Sequence, residues 1–178
     1  MKLLGLFLTM FCSSLPVHAK ELMSLKTFLK SELHGAAKLS KESFNVSPQQ
    51  HNEIAALAQN SQDKTFNFYY GKDKDKKLLV ACTVVAQKGK EGPMLLGICF
   101  EPSGLVKSVK LLTSDEDHGS KAQGNNFLKQ FEGKNVSSAF QVGKDIDGIS
   151  GATITSKAIS EAVRKSNYAF KTFVRSKK

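Results

Sequence analysis

The sequence predicts an α+β fold in which an antiparallel sheet is flanked by helices within a single domain. Three observations support this prediction. Four β-rich runs follow one another in the middle of the chain, and their connections are too short for helical crossovers. Segments with helical periodicity lie before and after these runs. The 178 residues, of which 40% are hydrophobic, suit one globular domain that builds its own core.

The chain begins with the pattern of a secretory signal peptide. A positive Lys2 precedes an apolar run from Leu3 to Leu15, and Val17 and Ala19 occupy the small-residue positions of a cleavage site. The apolar run is short for a membrane span, so a retained anchor is the less favoured alternative. We therefore expect cleavage after Ala19 and a protein that is exported to the periplasm or the extracytoplasmic side of the membrane.

The first element after this segment is an amphipathic helix over residues 20–35, with Leu22, Leu25, Leu29 and Leu33 on one face. Its apolar face is expected to pack on the domain, and contact with a membrane surface is the alternative. A second helix starts at Ser47, where Pro48 and Gln50 complete a capping box, and ends near residue 60. Together these elements predict a helical N-terminal segment over residues 20–62.

The main domain, residues 63–178, begins with the strands, which are predicted at residues 64–71, 77–87, 93–101 and 105–114. A hairpin between the second and third strands places Cys82 opposite Cys99. Either a disulfide or two buried free thiols fits this arrangement. A short helix over residues 125–134 and a closing helix over residues 155–173 complete the pattern.

The composition restricts the partners and cofactors. The formal net charge of +10 suits an anionic lipid or an acidic protein partner. Nucleic acid is not expected, because export makes it improbable and no segment concentrates the positive charge; residues 72–77 mix both signs. The histidines and cysteines have neither metal-ligand nor haem spacing, so no metal site is predicted.

The stretch "DIDGISGATITSKAISEAV", residues 145–163, is the most informative part of the sequence. In the simplest interpretation a hydroxyl of Ser150, Thr153 or Thr155 caps a helix, and Gly148 and Gly151 form the preceding turn. The alternative is a phosphate site, because a helix N-terminus presents free N–H groups and a partial positive charge. Neither a Walker loop nor a G-x-G-x-x-G sequence is present, which argues against a nucleotide triphosphatase.

The residues "DGISGAT", 147–153, resemble the flavinylation motif of the FMN-binding domain family. This family includes the flavin subunits of sodium-pumping NADH:quinone reductase and of Rnf-type complexes. The resemblance extends over residues 89–163 and includes the Phe-x-x-Gln-Phe-x-Gly-Lys run at residues 127–134. It implies that Thr153 carries FMN through a phosphoester and that Asp147 belongs to the recognition pattern of an FAD:protein FMN transferase. The other implied cofactor-binding residues are Gly148, Ser150, Gly151, Ala152, Thr155, Glu116 and Gly119.

The resemblance implies an electron relay and explains why the sequence carries no recognisable catalytic residues. The flavin performs the redox chemistry, so the protein itself needs neither a triad nor an acid/base pair. The implied redox partners are cytochromes or a membrane electron-transport complex, and an electron-transfer protein is favoured over a stand-alone enzyme. Two alternatives remain. One is an FMN-dependent reductase of a small molecule, and the other is a secreted binding module without redox function.

Overall fold

The computed structural model describes residues 20–59, 61–115, 125–135 and 137–176, and a six-stranded antiparallel sheet lies at its centre. The predicted signal peptide, residues 1–19, lies outside this part of the chain. The sheet has the strand order β1-β6-β5-β4-β3-β2, which confirms the predicted α+β fold. The elements are β1 (Lys20–Glu21), α1 (Leu25–Glu32), β2 (Lys38–Asn45), α2 (Pro48–Leu57), β3 (Thr65–Lys72), β4 (Leu78–Lys88), β5 (Pro93–Phe100), β6 (Val106–Ser114), α3 (Asn125–Lys129) and α4 (Thr153–Ala169), which continues as a π-helical segment (Phe170–Arg175).

Strands β3 to β6 form an antiparallel meander within a residue or so of the predicted bounds. Cys82 on β4 lies directly opposite Cys99 on β5, as the hairpin predicted. The two side chains form a disulfide, which decides between the two alternatives left open by the sequence. Both cysteines are fully buried, so the bond joins the two central strands within the core.

The edge strand β2 was not predicted from the sequence. Its residues, "KLSKESFN", are almost all exposed and show no alternation of apolar and polar side chains. Antiparallel pairing with β3 holds the strand in place, from Lys38 opposite Lys72 to Asn45 opposite Thr65. The segment over residues 20–62 is therefore not purely helical, because β1 and β2 both join the sheet.

Helices cover the sheet on both faces. On one face α4 packs over β4 and β5, and the larger core lies between them, with Ile159, Val163 and Phe170 contributed by the C-terminal helix. On the other face α1 covers a smaller core around the disulfide. Phe28 is its fully buried centre and lies over Gly97, where an added Cβ atom would approach the ring to 2.5 Å.

Serine side chains cap the starts of α1 and α2. At α2 the predicted capping box is confirmed: Ser47 Oγ accepts from the Gln50 amide, and Gln50 Oε1 accepts from the Ser47 amide. At α1 the Ser24 hydroxyl accepts from the amide of Thr27. Over the described ranges, none of the helices has the length and apolar character needed to cross a bilayer.

Candidate functional site

The site predicted from the sequence lies in the turn that leads into α4. Gly151 has a φ of +80°, a left-handed conformation that glycine adopts readily, and nothing lies within 4 Å of a Cβ atom built there. Ala152 is the N-cap residue, and no side chain makes a cap hydrogen bond. The N-cap position itself therefore carries no hydroxyl that caps the helix. Thr153 follows as the first residue of α4 and is exposed to solvent.

Ser156 fixes the shape of this turn from inside the protein. Its buried hydroxyl accepts a hydrogen bond from the amide of Ile149 at 3.1 Å and donates one to the carbonyl of Ala152 at 2.9 Å. The amide of Ala152 donates in turn to the carbonyl of Ile149 at 2.9 Å. These bonds close the loop on the first turn of α4, while Thr153 stays exposed. No pattern in the sequence indicated this role of Ser156.

Gln130, which follows α3, holds the same loop at Asp147. Its Nε2 donates to the carbonyl of Asp147 at 3.2 Å, and its Oε1 accepts from the amide of Asp147 at 2.7 Å. The backbone of Asp147 is thereby fixed, whereas the residue remains exposed. Gln130 belongs to the Phe-x-x-Gln-Phe-x-Gly-Lys run, but sequence reasoning assigned no role to it.

Asp145 organises the start of the loop. Its carboxylate accepts hydrogen bonds from the amides of Phe140 at 3.0 Å and Gln141 at 2.7 Å, and Lys134 Nζ lies 4.0 Å away. Burial acts to raise the pKa of Asp145, but the hydrogen bonds from Gln141 and Phe140 and the charge of Lys134 outweigh it, so its pKa is lowered. The ionised carboxylate thus stabilises the loop, including the unusual positive φ of the buried Phe140.

The structure brings most of the predicted site residues together in this one turn. The exposed ones are Asp147, Gly148, Ser150, Gly151 and Thr153, whereas Ala152 and Thr155 are buried. Glu116 and Gly119, the two residues expected to line the flavin, lie outside the described residues. Their place relative to Thr153 stays a prediction.

A polar cavity of about 270 Å³ lies further along α4, on the helix face that begins with Thr153. Lys157, Ser160, Glu161 and Arg164 line it at helical spacing, so it begins about 6 Å along the axis from Thr153. Within the part of the chain that is described, the buried Ser160 Oγ and Arg164 Nε have no hydrogen-bond partner. Burial raises the pKa of Glu161 against the opposing charges of Arg164 and the neighbouring lysines. The cavity therefore offers donors and charge to a polar ligand.

These features define a small α+β domain that presents an exposed threonine on a helix N-terminus suited to a phosphate group. Residues 89–166 match the family model described as "FMN-binding domain". The matched segment contains β5, β6, α3, the Gly151 turn and most of α4. FMN is accordingly the candidate cofactor for this site.

One solved structure shares the fold, and a second is reported for comparison. The crystal structure of NqrC from Shewanella oneidensis superposes with a TM-score of 0.56 at 14% identity, over 81% of this chain and 85% of that one. A Na⁺-translocating NADH-quinone reductase component from Parabacteroides distasonis gives a TM-score of 0.47 at 16% identity, over 71% and 76% of the two chains. No curated protein sequence matches the chain. At this identity, the similarity to the Shewanella protein shows a common fold.

Proposed function

We propose that this protein is an exported flavoprotein that carries FMN covalently on Thr153 and relays electrons between redox partners outside the cytoplasmic membrane. One observation carries the proposal. Within the segment that matches the FMN-binding domain family, Thr153 is exposed at the start of a 17-residue helix whose N-cap residue, Ala152, makes no side-chain cap bond. A hydroxyl on this position is accessible to a modifying enzyme, and the helix end beside it is suited to an anion.

The surroundings of Thr153 fit a phosphodiester. Such a linkage keeps one negative charge, which the partial positive charge of the α4 N-terminus stabilises. The neighbouring Gly151 and Ala152 have minimal side chains and leave room for the phosphate oxygens. Further along the helix, Lys157 and Arg164 supply positive charge at the polar cavity. These groups orient an anionic cofactor without any basic residue in the turn itself.

Attachment requires a second protein, an FAD:protein FMN transferase. In the proposed reaction the Thr153 hydroxyl oxygen forms a bond with the FMN phosphorus of FAD, the pyrophosphate bond breaks and AMP leaves. The hydroxyl proton passes to a base of the transferase. Thr153 therefore needs no activating residue of its own, and the turn has only to present it. Asp147 is exposed, and Gln130 fixes its backbone. This arrangement suits recognition of the Asp147 side chain by the transferase.

The proposed role is electron transfer rather than stand-alone catalysis. Bound flavin supplies one- and two-electron redox chemistry, and the protein binds and orients it. A covalent bond prevents loss of the cofactor in a dilute extracytoplasmic environment. The fold is shared with a protein named NqrC, which supports a membrane electron-transport complex as the partner, and a cytochrome is the alternative that we propose. The net charge of +10 favours docking to an acidic partner surface.

The test is coexpression of the full chain with a flavin transferase, followed by denaturation. We expect flavin fluorescence that persists in the unfolded chain and a mass increase equal to FMN less water. Thr153→Ala should abolish both signals. Thr65→Ala is the matched control, since it removes another exposed threonine hydroxyl, outside the Asp147–Thr153 motif, and should be modified normally. An unmodified wild type, or equal modification of Thr153→Ala, would show the assignment to be wrong.

A further inference from the structure

An open apolar groove lies on the sheet face opposite α4. One wall is α1, where Leu25, Leu29 and Leu33 form a row at four-residue spacing, and the other is formed by Leu39 on β2 and Tyr69 on β3. Its volume is about 940 Å³, which lies within the range of ligand sites. The leucine row extends over about 12 Å of helix. Leu39 is 64% exposed and Leu25 is 42% exposed, so much apolar surface in this groove faces water.

The charged residues of the groove are all basic. Lys26 and Lys30 lie on α1 one position after Leu25 and Leu29, so they form a parallel row along the rim. Lys41 on β2 approaches the ring of Tyr69, with its Nζ 5.6 Å from the ring centre. Among the residues that the structure describes, no acidic side chain lines this groove, and these three lysines form no salt bridge there.

We propose that this groove binds the single acyl chain of an anionic amphiphile, with the chain along the leucines and the anionic head between the lysines. The apolar walls match an alkyl chain, and the rim lysines match a negative head group. The concave shape favours an inserted chain over docking onto a flat bilayer. A long-chain carboxylate is the simplest molecule with both features, and the proposal is restricted to that chemical class.

The groove is separate from the Thr153 site. The six-stranded sheet lies between them, because α1 packs against the core around the disulfide and α4 packs against the larger core on the other face. The proposal goes beyond the proposed function and does not depend on it. Variants of the groove are therefore expected to accept flavin on Thr153 normally, so the two proposals can fail independently.

The test is isothermal titration of the purified protein with decanoate, dodecanoate and tetradecanoate below their micelle concentrations. If the chain lies in the groove, affinity should rise about fourfold for each added methylene until the groove is filled. The neutral monoacylglycerol of the same chain length should bind more weakly. The double variant Lys26→Gln/Lys30→Gln should lose this preference for the carboxylate while keeping the dependence on chain length.

Leu39→Gln tests the apolar wall at a position exposed enough to leave folding unaffected. It should weaken binding of both amphiphiles about tenfold, whereas Leu95→Gln, at an exposed leucine outside the groove, should not. Equal thermal unfolding of the two variants excludes a folding defect. The proposal is overturned if affinity is independent of chain length or if Leu39→Gln binds like Leu95→Gln. Binding only to anionic vesicles, or a dimer in sedimentation that Leu39→Gln dissociates, would also overturn it.

Discussion

The side-chain amide of Gln130 holds the backbone of Asp147 at two points, as donor to its carbonyl oxygen and as acceptor from its amide. A primary amide is the side-chain group that can complement both backbone atoms at once. The pair links the end of α3 to the turn before α4, so the position of the Asp147–Thr153 loop depends on an element about twenty residues earlier. The Gln130 side chain thus has a positioning role at the proposed flavin site.

We therefore expect Gln130→Met, which keeps the length of the side chain but removes both hydrogen bonds, to loosen this loop. The free energy of unfolding should fall by about 1–3 kcal/mol. Flavin incorporation on Thr153 at limiting transferase should slow severalfold, because a smaller fraction of molecules has the loop in the conformation that the transferase binds. Urea denaturation and a time course of in-gel flavin fluorescence measure the two effects. Lys129→Met, at the exposed preceding residue, is the control, and equal incorporation rates in both variants would contradict this role.

The lowered pKa of Asp145 predicts a pH dependence of stability. Because the folded-state pKa lies below the unfolded value of about 3.9, the ionised carboxylate stabilises the folded state above that pH. This contribution is lost as the pH falls through the folded-state pKa.

Asp145→Asn should thus destabilise the protein by about 1–3 kcal/mol at pH 7, and the difference from wild type should shrink below pH 4 or so. Urea denaturation at pH 7 and pH 3 measures the change, with the exposed Asp75→Asn as control. A difference that is the same at both pH values would refute the assignment.

Lys165 is a buried charge whose pairing can be tested. It is 1% exposed, and its Nζ lies 2.6 Å from Asp63 Oδ2 and 2.6 Å from the carbonyl of Ala86. Asp63→Ala should cost about 3–5 kcal/mol, because it leaves the ammonium group buried without its counter-charge. Adding Lys165→Met should recover much of that loss.

Urea denaturation of the single and double variants provides the measurement. The exposed pair Lys90–Glu91 is the matched control, and Glu91→Ala should cost less than about 1 kcal/mol. If Asp63→Ala lowers the free energy of unfolding as little as Glu91→Ala does, the buried pair does not make the expected contribution to stability.

The central strands could be predicted because their buried positions are occupied by apolar residues, which the sequence shows. In β3 and β4 apolar residues recur at the inward positions, and the register that faces Cys82 with Cys99 follows from the hairpin. β2 shows no such alternation, because most of its side chains face water. Backbone pairing with β3 is supplemented by a few side-chain contacts, such as the hydrogen bond from Ser43 to Asn67 and the packing of Phe44 on Phe68. The sequence of an exposed edge strand is therefore a poor guide to its structure.

The helix α1 shows a second limit. Its leucine spacing predicted an apolar face on the domain, but the residue at the centre of the contact is Phe28, which fits over Gly97 of β5. Leu25 lines the open groove, and Leu29 lines it while also packing against the smaller core. Periodicity identifies a face of a helix, whereas the fit of one ring over one glycine depends on a pairing about seventy residues apart in the sequence.

At the candidate site the sequence indicated the turn but not what holds it. Gly151 and Thr153 belong to a local motif and could be named from it. Three side chains hold the loop through hydrogen bonds to backbone atoms: Ser156, Gln130 and Asp145. Because every residue has the same backbone groups, such bonds produce no recognisable pattern in the sequence. Only the fold shows that these three side chains converge on one loop.

The exposed lysines of β2 also affect how copies of the protein meet. β2 is one edge of the sheet, and the N–H and C=O groups on its outer side can pair with a strand of another chain. A second β2 added there in parallel register would bring Lys38 and Lys41 of both copies close together, and their repulsion opposes that pairing. Charge on β2 thus opposes the growth of the sheet by parallel, in-register addition of a second copy, and added salt weakens this opposition.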